Sequence, residues 1–168
     1  GKSGHSEDEY LKNLDADLAA IESFRAAHGD AVAVESFEAR LPPLPVADAF
    51  IATVAERLRG AELAQFHEFT VDDHLKATLA ALAAASAGAK LRCGGVSADA
   101  FPAPEQGARF IVAARDAGVP AKFTAWPPHP VRASDESIGI EMHALLHPYL
   151  CGIGAHTADT VLQKNRQM

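Results

Sequence analysis

Basic side chains alternate with apolar ones in two short segments of the chain. Lys90 and Arg92 do so in the first segment, and Lys122 and Thr124 do so in the second. Every second side chain of an extended strand lies on the same face. We therefore expect Lys90 and Arg92 to share one face of a strand, and Lys122 and Thr124 to share one face of another. Strands covered by helices are usually apolar on both faces, so the cations indicate a binding site.

Lysines that face one another can take part in covalent chemistry. Neighbouring cations and burial both depress the pKa of a lysine, and such a lysine can form an imine or act as a base. We predict Lys90 and Lys122 as catalytic residues, with Glu35 and His67 as acid–base partners. The alternative is a buried ion-pair network, in which Glu35 contacts Lys122 and another carboxylate lies near Arg92.

An anion-binding set accompanies the lysines. Gly94 and Gly95 lie at the end of a predicted strand and precede a predicted helix, where backbone amides and the helix dipole can bind an anion. Arg92, Thr124 and His129 complete the predicted set. The alternative for the two glycines is an ordinary tight turn between strand and helix.

Three residues near the C-terminal end are weak candidates for a metal site. His143 and His147 are spaced to share one face of a helix, as in zinc sites, and Glu141 lies just before them. The glutamate of the metalloprotease motif is missing between the histidines, and this spacing often arises by chance. We predict no metal site, and the sequence indicates no particular cofactor.

The elements that must position these residues alternate between helix and strand. The predicted helices span 7–27, 47–58, 72–86 and 104–117, with closing helices at 138–146 and 157–167; the predicted strands span 31–38, 62–69, 89–95 and 121–125. Ser6 and Glu9 form a capping box for the first helix, and Gly88 is the predicted stop of the third. Strand, helix and strand joined by short loops are typical of parallel βα units.

The alternation also favours one architecture over another. If bulky side chains such as Phe66 and Phe123 face the helices, every strand turns polar residues to one inner side, including Gln65 and His67. Polar layers near strand ends form the active sites of βα barrels. We therefore predict an α/β fold of about four parallel βα units, corresponding to half of a TIM-type barrel. A small open α/β sheet is the alternative, at the cost of burying these polar groups under helices.

Composition is that of one soluble domain. The 168 residues are 48% hydrophobic and carry a formal net charge of −7, which is unfavourable for general nucleic-acid binding. We expect a single domain, with an N-terminal helix (1–30), βα repeats (31–125), and a loop with closing helices (126–168). No apolar run is long enough to cross a membrane. Cys93 and Cys151 occur in unrelated contexts, so we expect free thiols and a cytoplasmic location.

Assembly and function are predicted together. Four strands do not close a wide barrel, so the chain needs a second copy, as a homodimer, or belongs to a longer protein. The favoured function is an enzyme acting on a small anionic, carbonyl-bearing metabolite through lysine-assisted proton transfer or imine formation. The alternatives are a non-catalytic ligand-binding or assembly module and a metal-dependent hydrolase or lyase.

Several of these motifs occur together in a known order. They are KLRCGG at 90–95, Phe101-Pro102, GVPAKFTA at 118–125, His129-Pro130 and Met142-His143. The set resembles a bacterial family with the motifs K-x-R-x-G-G, F-P-x-x-E, G-V-P-x-K-x-T-A, H-H-P and M-H-G. This chain departs from that family at Trp126-Pro127-Pro128, where the family has Gly-Leu-His, and at Ala144, where it has glycine. The lysines on consecutive strands beside a glycine-rich turn also resemble aldolases of the deoxyribose-phosphate type, which implies lysine chemistry.

Overall fold

Helices and strands alternate along the chain. The computed structural model describes residues 1–95 and 100–125, together with the backbone of two short strands further on. In the first two ranges the helices are α1 (Glu7–His28), α2 (Asp48–Gly60), α3 (Leu75–Ala84) and α4 (Pro104–Asp116). The strands are β1 (Ser36–Arg40), β2 (Ala64–Glu68), β3 (Gly88–Arg92) and β4 (Ala121–Thr124).

The four strands form one parallel sheet in the order of the sequence, β1-β2-β3-β4. Right-handed crossovers that always step in the same direction place their helices on the same face of a sheet. The apolar core agrees with this rule, because Phe37 of β1 and Leu91 of β3 belong to one cluster with residues of all four helices. The fold is therefore α/β with a four-stranded parallel sheet alternating with helices, as predicted. It is consistent with a half-barrel or a small open sheet.

The first helix begins and packs as its sequence predicts. The backbone N–H of Glu9 donates to the hydroxyl of Ser6 at 3.2 Å, and the Glu9 carboxylate accepts from the His5 N–H at 2.8 Å. These bonds provide acceptors for backbone N–H groups that have no partner within the helix. Tyr10 is buried one turn later, with its ring 5.4 Å from that of Phe50 in an edge-on contact. This contact joins α1 to α2.

The boundary between α3 and β3 differs from the prediction. The backbone turns after α3 at Ser86, which has a φ of 55°, and Gly88 is already the first residue of β3. A Cβ atom at Gly88 would lie 2.5 Å from the ring of Phe66. The glycine is thus required by an aromatic ring on the neighbouring strand β2, and its prediction as a helix stop was wrong.

The first strand also lies further along the chain than predicted. A short 3-10 turn occupies Gly29–Ala31, and Val32 is 41% exposed. The strand begins only at Ser36, and its buried side chains are Phe37 and Ala39. The two valines before the strand do not join the sheet: Val32 is exposed, and Val34 only packs against the edge of the core.

A second, antiparallel pair of strands replaces part of a predicted helix. β5 (Ala133–Asp135) pairs with β6 (Ile140–Met142), so the prediction of a helix over 138–146 was wrong at this strand. The helix predicted at 157–167 and the loop at 126–130 lie outside the described residues. Among the helices of the described part, none is long and apolar enough to cross a membrane.

Candidate functional site: a charged face of the sheet

The sheet face opposite the helices carries an ionic cluster, which we call the charged face. In parallel strands, residues in register point to the same side of the sheet, and Glu68, Lys90 and Lys122 are in register across β2, β3 and β4. The charged residues of this face are Glu38, Arg40, Glu68, Lys90, Arg92 and Lys122. This arrangement brings side chains from all four strands together.

Glu38 joins the two lysines. The Lys90 Nζ lies 3.1 Å from Glu38 Oε2, and the Lys122 Nζ donates a hydrogen bond to Glu38 Oε1. The Lys122 ammonium also lies 5.3 Å from the centre of the Phe66 ring, within the range of a cation–π contact. The hydrogen bond from Lys122, with that from Lys90, holds the pKa of the Glu38 carboxyl below its ordinary value, although burial opposes the shift.

Glu68 joins the remaining cations. Its carboxylate lies 3.4 Å from the Lys90 Nζ, 3.9 Å from the Arg92 Nε and 4.0 Å from an Arg40 Nη. The Glu68 side chain is only 11% exposed and that of Lys90 only 15%. The centre of the charged face is therefore partly desolvated, which strengthens its ion pairs relative to exposed ones.

The predicted convergence of the basic residues is confirmed. Lys90 lies beside Lys122, and Arg92 lies beside Thr124, in register on the same face of adjacent strands. The structure also forms an ion-pair network, as the alternative expected, but Lys122 contacts Glu38 and not the predicted Glu35, and the carboxylate near Arg92 is Glu68. Both ammonium groups contact a carboxylate, so the geometry is compatible with an acid–base relay and with a purely structural network.

Glu35 does not belong to this cluster. It precedes β1, its side chain is exposed, and its carbonyl oxygen accepts a bond from the Ala64 N–H at 2.9 Å. The predicted position of Glu35 among the lysines was wrong because Glu35 precedes the strand and the polar side of β1 carries residues 36, 38 and 40, so Glu38 occupies that position instead. Glu38, Glu68 and Arg40 were missed, although the polar alternation of residues 36, 38 and 40 in the sequence contained the signal.

His67 lies on the opposite face, among the helices, so its predicted place beside the lysines was also wrong. It is 1% exposed, its Nδ1 lies 3.5 Å from the Tyr10 hydroxyl, and its Nε2 lies 3.1 Å from Gln65 Oε1. The Gln65 amide donates in turn to the Ala55 carbonyl at 3.4 Å. Burial lowers the pKa of His67 to about 4. This histidine is a neutral, hydrogen-bonded core residue.

The two glycines after β3 lie where the backbone is crowded. A Cβ atom at Gly94 would lie 2.3 Å from the Ala125 carbonyl oxygen, and one at Gly95 would lie 2.6 Å from the Ala100 Cβ. Close packing of the turn thus accounts for both glycines. Their role in anion binding stays a prediction, as does that of His129, which lies outside the described residues.

Of the three candidate metal ligands, the structure describes only the backbone of Glu141. Glu141 contributes backbone to β6, whereas His143 and His147 lie outside the described residues. In the part of the chain whose side chains are described, no group of three or more His, Cys, Asp and Glu residues could hold a metal ion.

The charged face thus combines partly buried lysines, a shared carboxylate and half-exposed arginines on a sheet side that faces away from the helices. The resemblance of the chain's motifs to the bacterial family and to lysine aldolases stays a prediction. Comparisons of the chain with protein-family models, with curated proteins and with solved structures gave no match.

Proposed function

We propose that the protein is an enzyme that binds a small anionic, carbonyl-bearing metabolite on the charged face. The observation that carries this proposal is the convergence of Lys90 and Lys122 on the single carboxylate of Glu38. Two basic groups with a shared acid can divide the roles of nucleophile, proton donor and proton acceptor among them. The excess of cations over carboxylates on this face supports an anionic substrate.

The proposed chemistry needs only groups on this face and the substrate. The neutral amine of one lysine attacks the carbonyl carbon, so that a C–N bond forms and the oxygen is protonated. Water then leaves and a protonated imine remains. Glu38 accepts the proton that the attacking lysine must lose and returns it to the oxygen that leaves as water, while the second lysine stays charged and polarises the carbonyl oxygen. Without imine formation, the same groups would remove a proton from the carbon atom next to the carbonyl, or return one to it.

Trapping with sodium borohydride tests the covalent route. The protein is incubated with pyruvate or glyceraldehyde 3-phosphate and reduced, and the modified peptide is located by mass spectrometry. We expect the adduct on Lys90 or Lys122, and its loss in the corresponding Lys→Met variant. Lys76→Met, which changes a lysine on α3, is the matched control. Labelling spread over surface lysines, unchanged in the Lys90 and Lys122 variants, would contradict the imine route.

A non-catalytic assembly module is the second candidate, and a specific observation favours it. The carboxylates and cations of the charged face already pair with one another, so the face can be stable without a ligand. In this proposal a second copy of the chain covers the face and closes a barrel-like homodimer. Light scattering at micromolar concentration tests it. A mass of 17.7 kDa, that of one chain, would exclude the dimer.

A reducing compartment such as the cytoplasm is part of the proposal. Cys93 is a half-buried free thiol, and burial raises its pKa to about 12. The thiol therefore stays protonated and packs as a small apolar group. Mass spectrometry of the alkylated protein from cells should find Cys93 unoxidised.

A further inference from the structure

A cleft lies at the carboxyl ends of β1 and β2, next to the charged face. It has a volume of about 340 Å³ and is lined by Arg40, Leu41, Phe69 and Thr70, by residues 42–44, and by residues 3–5 of the segment before α1. We call it the Arg40 cleft. The carboxyl ends of parallel strands are where α/β folds place their ligands.

Arg40 connects the cleft to the charged face. One guanidinium nitrogen donates to the Thr70 hydroxyl at 3.4 Å, and the other Nη lies 4.0 Å from Glu68. Both contacts are at the long limit of their kind, and the Arg40 side chain is 58% exposed. A guanidinium has five N–H donors in a planar fork, so it can bind an oxyanion through two parallel hydrogen bonds while it keeps these long contacts.

The charges of this region favour a ligand group with two negative charges. Among the described residues of the charged face, four cations share the two carboxylates of Glu38 and Glu68. Glu68 alone is shared by Lys90, Arg92 and Arg40. The face therefore carries two positive charges more than negative ones. A phosphate monoester, with a charge of about −1.5 to −2 at pH 7, would balance this excess, and arginine binds it in bidentate geometry.

We propose that the Arg40 cleft binds the phosphate group of a small phosphorylated ligand, through the Arg40 guanidinium and the Thr70 hydroxyl. This inference rests on the proposed function, since it assigns the anionic part of the same substrate. Glu68 contacts both Arg40 and Lys90, so a single carboxylate links the arginine of the cleft to Lys90. A phosphate ester of only a few carbon atoms can therefore reach from the cleft to the lysines.

Titration with inorganic phosphate, followed by backbone amide NMR shifts at low ionic strength, tests the site. We expect the amides of Phe69 and Thr70 to shift, and Arg40→Gln to weaken phosphate binding by about tenfold or more, the effect of losing one charge-assisted pair. Arg115→Gln is the matched control, because Arg115 is a half-exposed arginine on α4 that pairs with Asp116. It should bind phosphate as the unchanged protein does.

The ligand class is tested with malonate and acetate in the same assay. Phosphate should bind more tightly than either carboxylate; tighter binding of malonate would overturn the phosphate assignment. Equal phosphate affinity of the Arg40→Gln and Arg115→Gln variants would overturn the proposal that the Arg40 cleft binds phosphate. The absence of phosphate binding to the unchanged protein would overturn it as well. Arg40→Gln should keep the melting temperature of the unchanged protein; if it does not, Thr70→Val must reproduce the loss of phosphate binding.

The outcomes for the cleft and for the lysines are separable. Phosphate binding that depends on Arg40, without borohydride-trapped adducts on Lys90 or Lys122, would support the cleft and refute lysine catalysis. Trapped adducts of pyruvate and glyceraldehyde 3-phosphate in equal amounts, with no effect of Arg40→Gln on either, would support catalysis and refute the cleft.

Discussion

The buried His67 should make the stability of the protein depend on pH in a narrow acidic range. Its pKa is about 4 in the folded chain, whereas its ordinary value is 6.5. Between these values the unfolded chain binds a proton that the folded chain does not, so the free energy of unfolding falls as the pH falls. A difference of about 2.5, at about 1.4 kcal/mol per pKa unit, gives a loss of about 3 kcal/mol between pH 6.5 and pH 4.

Urea denaturation at pH 7.5, 6.0, 5.0 and 4.5 measures this loss. The comparison variants are His67→Leu and His74→Leu; His74 is an exposed histidine just before α3. The His74 variant should lose stability with pH as the unchanged protein does, whereas the His67 variant should lose much less. Glu38 affects stability at lower pH than His67 does. Its pKa in the folded chain lies below the ordinary value of 4.5, so its contribution to stability is present above pH 4.5 and is lost only as the pH falls below that value.

Two results would refute the reasoning on His67. One is the same fall in stability in the His67→Leu variant and the unchanged protein. The other is an NMR titration of the His67 ring in the folded protein with a midpoint near 6.5. The second measurement needs no variant, so it decides the matter even if His67→Leu does not fold.

Further predictions concern packing and the ion pairs. Phe123→Ala should cost about 3 kcal/mol of unfolding free energy, since Phe123 packs against the core. Lys90→Met should cost about 1 kcal/mol, since each carboxylate keeps another cationic partner; a larger loss than for Phe123→Ala would mean that Lys90 serves folding. Gly94→Ala should cost about 1–3 kcal/mol, since its Cβ would lie 2.3 Å from the Ala125 oxygen. Gly107→Ala in α4, with open space around it, should instead stabilise by about 0.5–1 kcal/mol. Urea denaturation measures all four.

The order of the elements could be predicted from the sequence because local signals agree with the tertiary structure. The capping residues Ser6 and Glu9 fix the start of α1, and the apolar spacing of α2 and α4 matches their buried faces. The face of Lys90 and Lys122 was also predictable, since a side chain at every second position of a strand points the same way. Helix starts, and which side chains of one strand share a face, depend on neighbours in sequence and can be predicted from one chain.

Contacts between distant segments account for the errors. Polar residues were expected to share a face with the lysines, yet Gln65 and His67 are buried because Tyr10 and the Ala55 carbonyl satisfy them. Phe66 was expected among the helices, and it lies instead under the Lys122 ammonium. Each of these choices depends on a hydrogen-bond or ring partner on another element, and periodicity carries no information about such partners.

The sequential order of the strands bears on how the chain folds. Ser36 of β1 pairs with Ala64 of β2, and the next pairings again join strands that follow one another in the chain. Each pairing therefore closes a single βα loop, whose entropic cost grows only slowly with its length. Pairings that skipped a strand would join residues further apart in the chain, which slows folding, whereas here each βα unit can dock on the one before it during synthesis. The sheet can thus grow from its N-terminal strand before its last strand has left the ribosome.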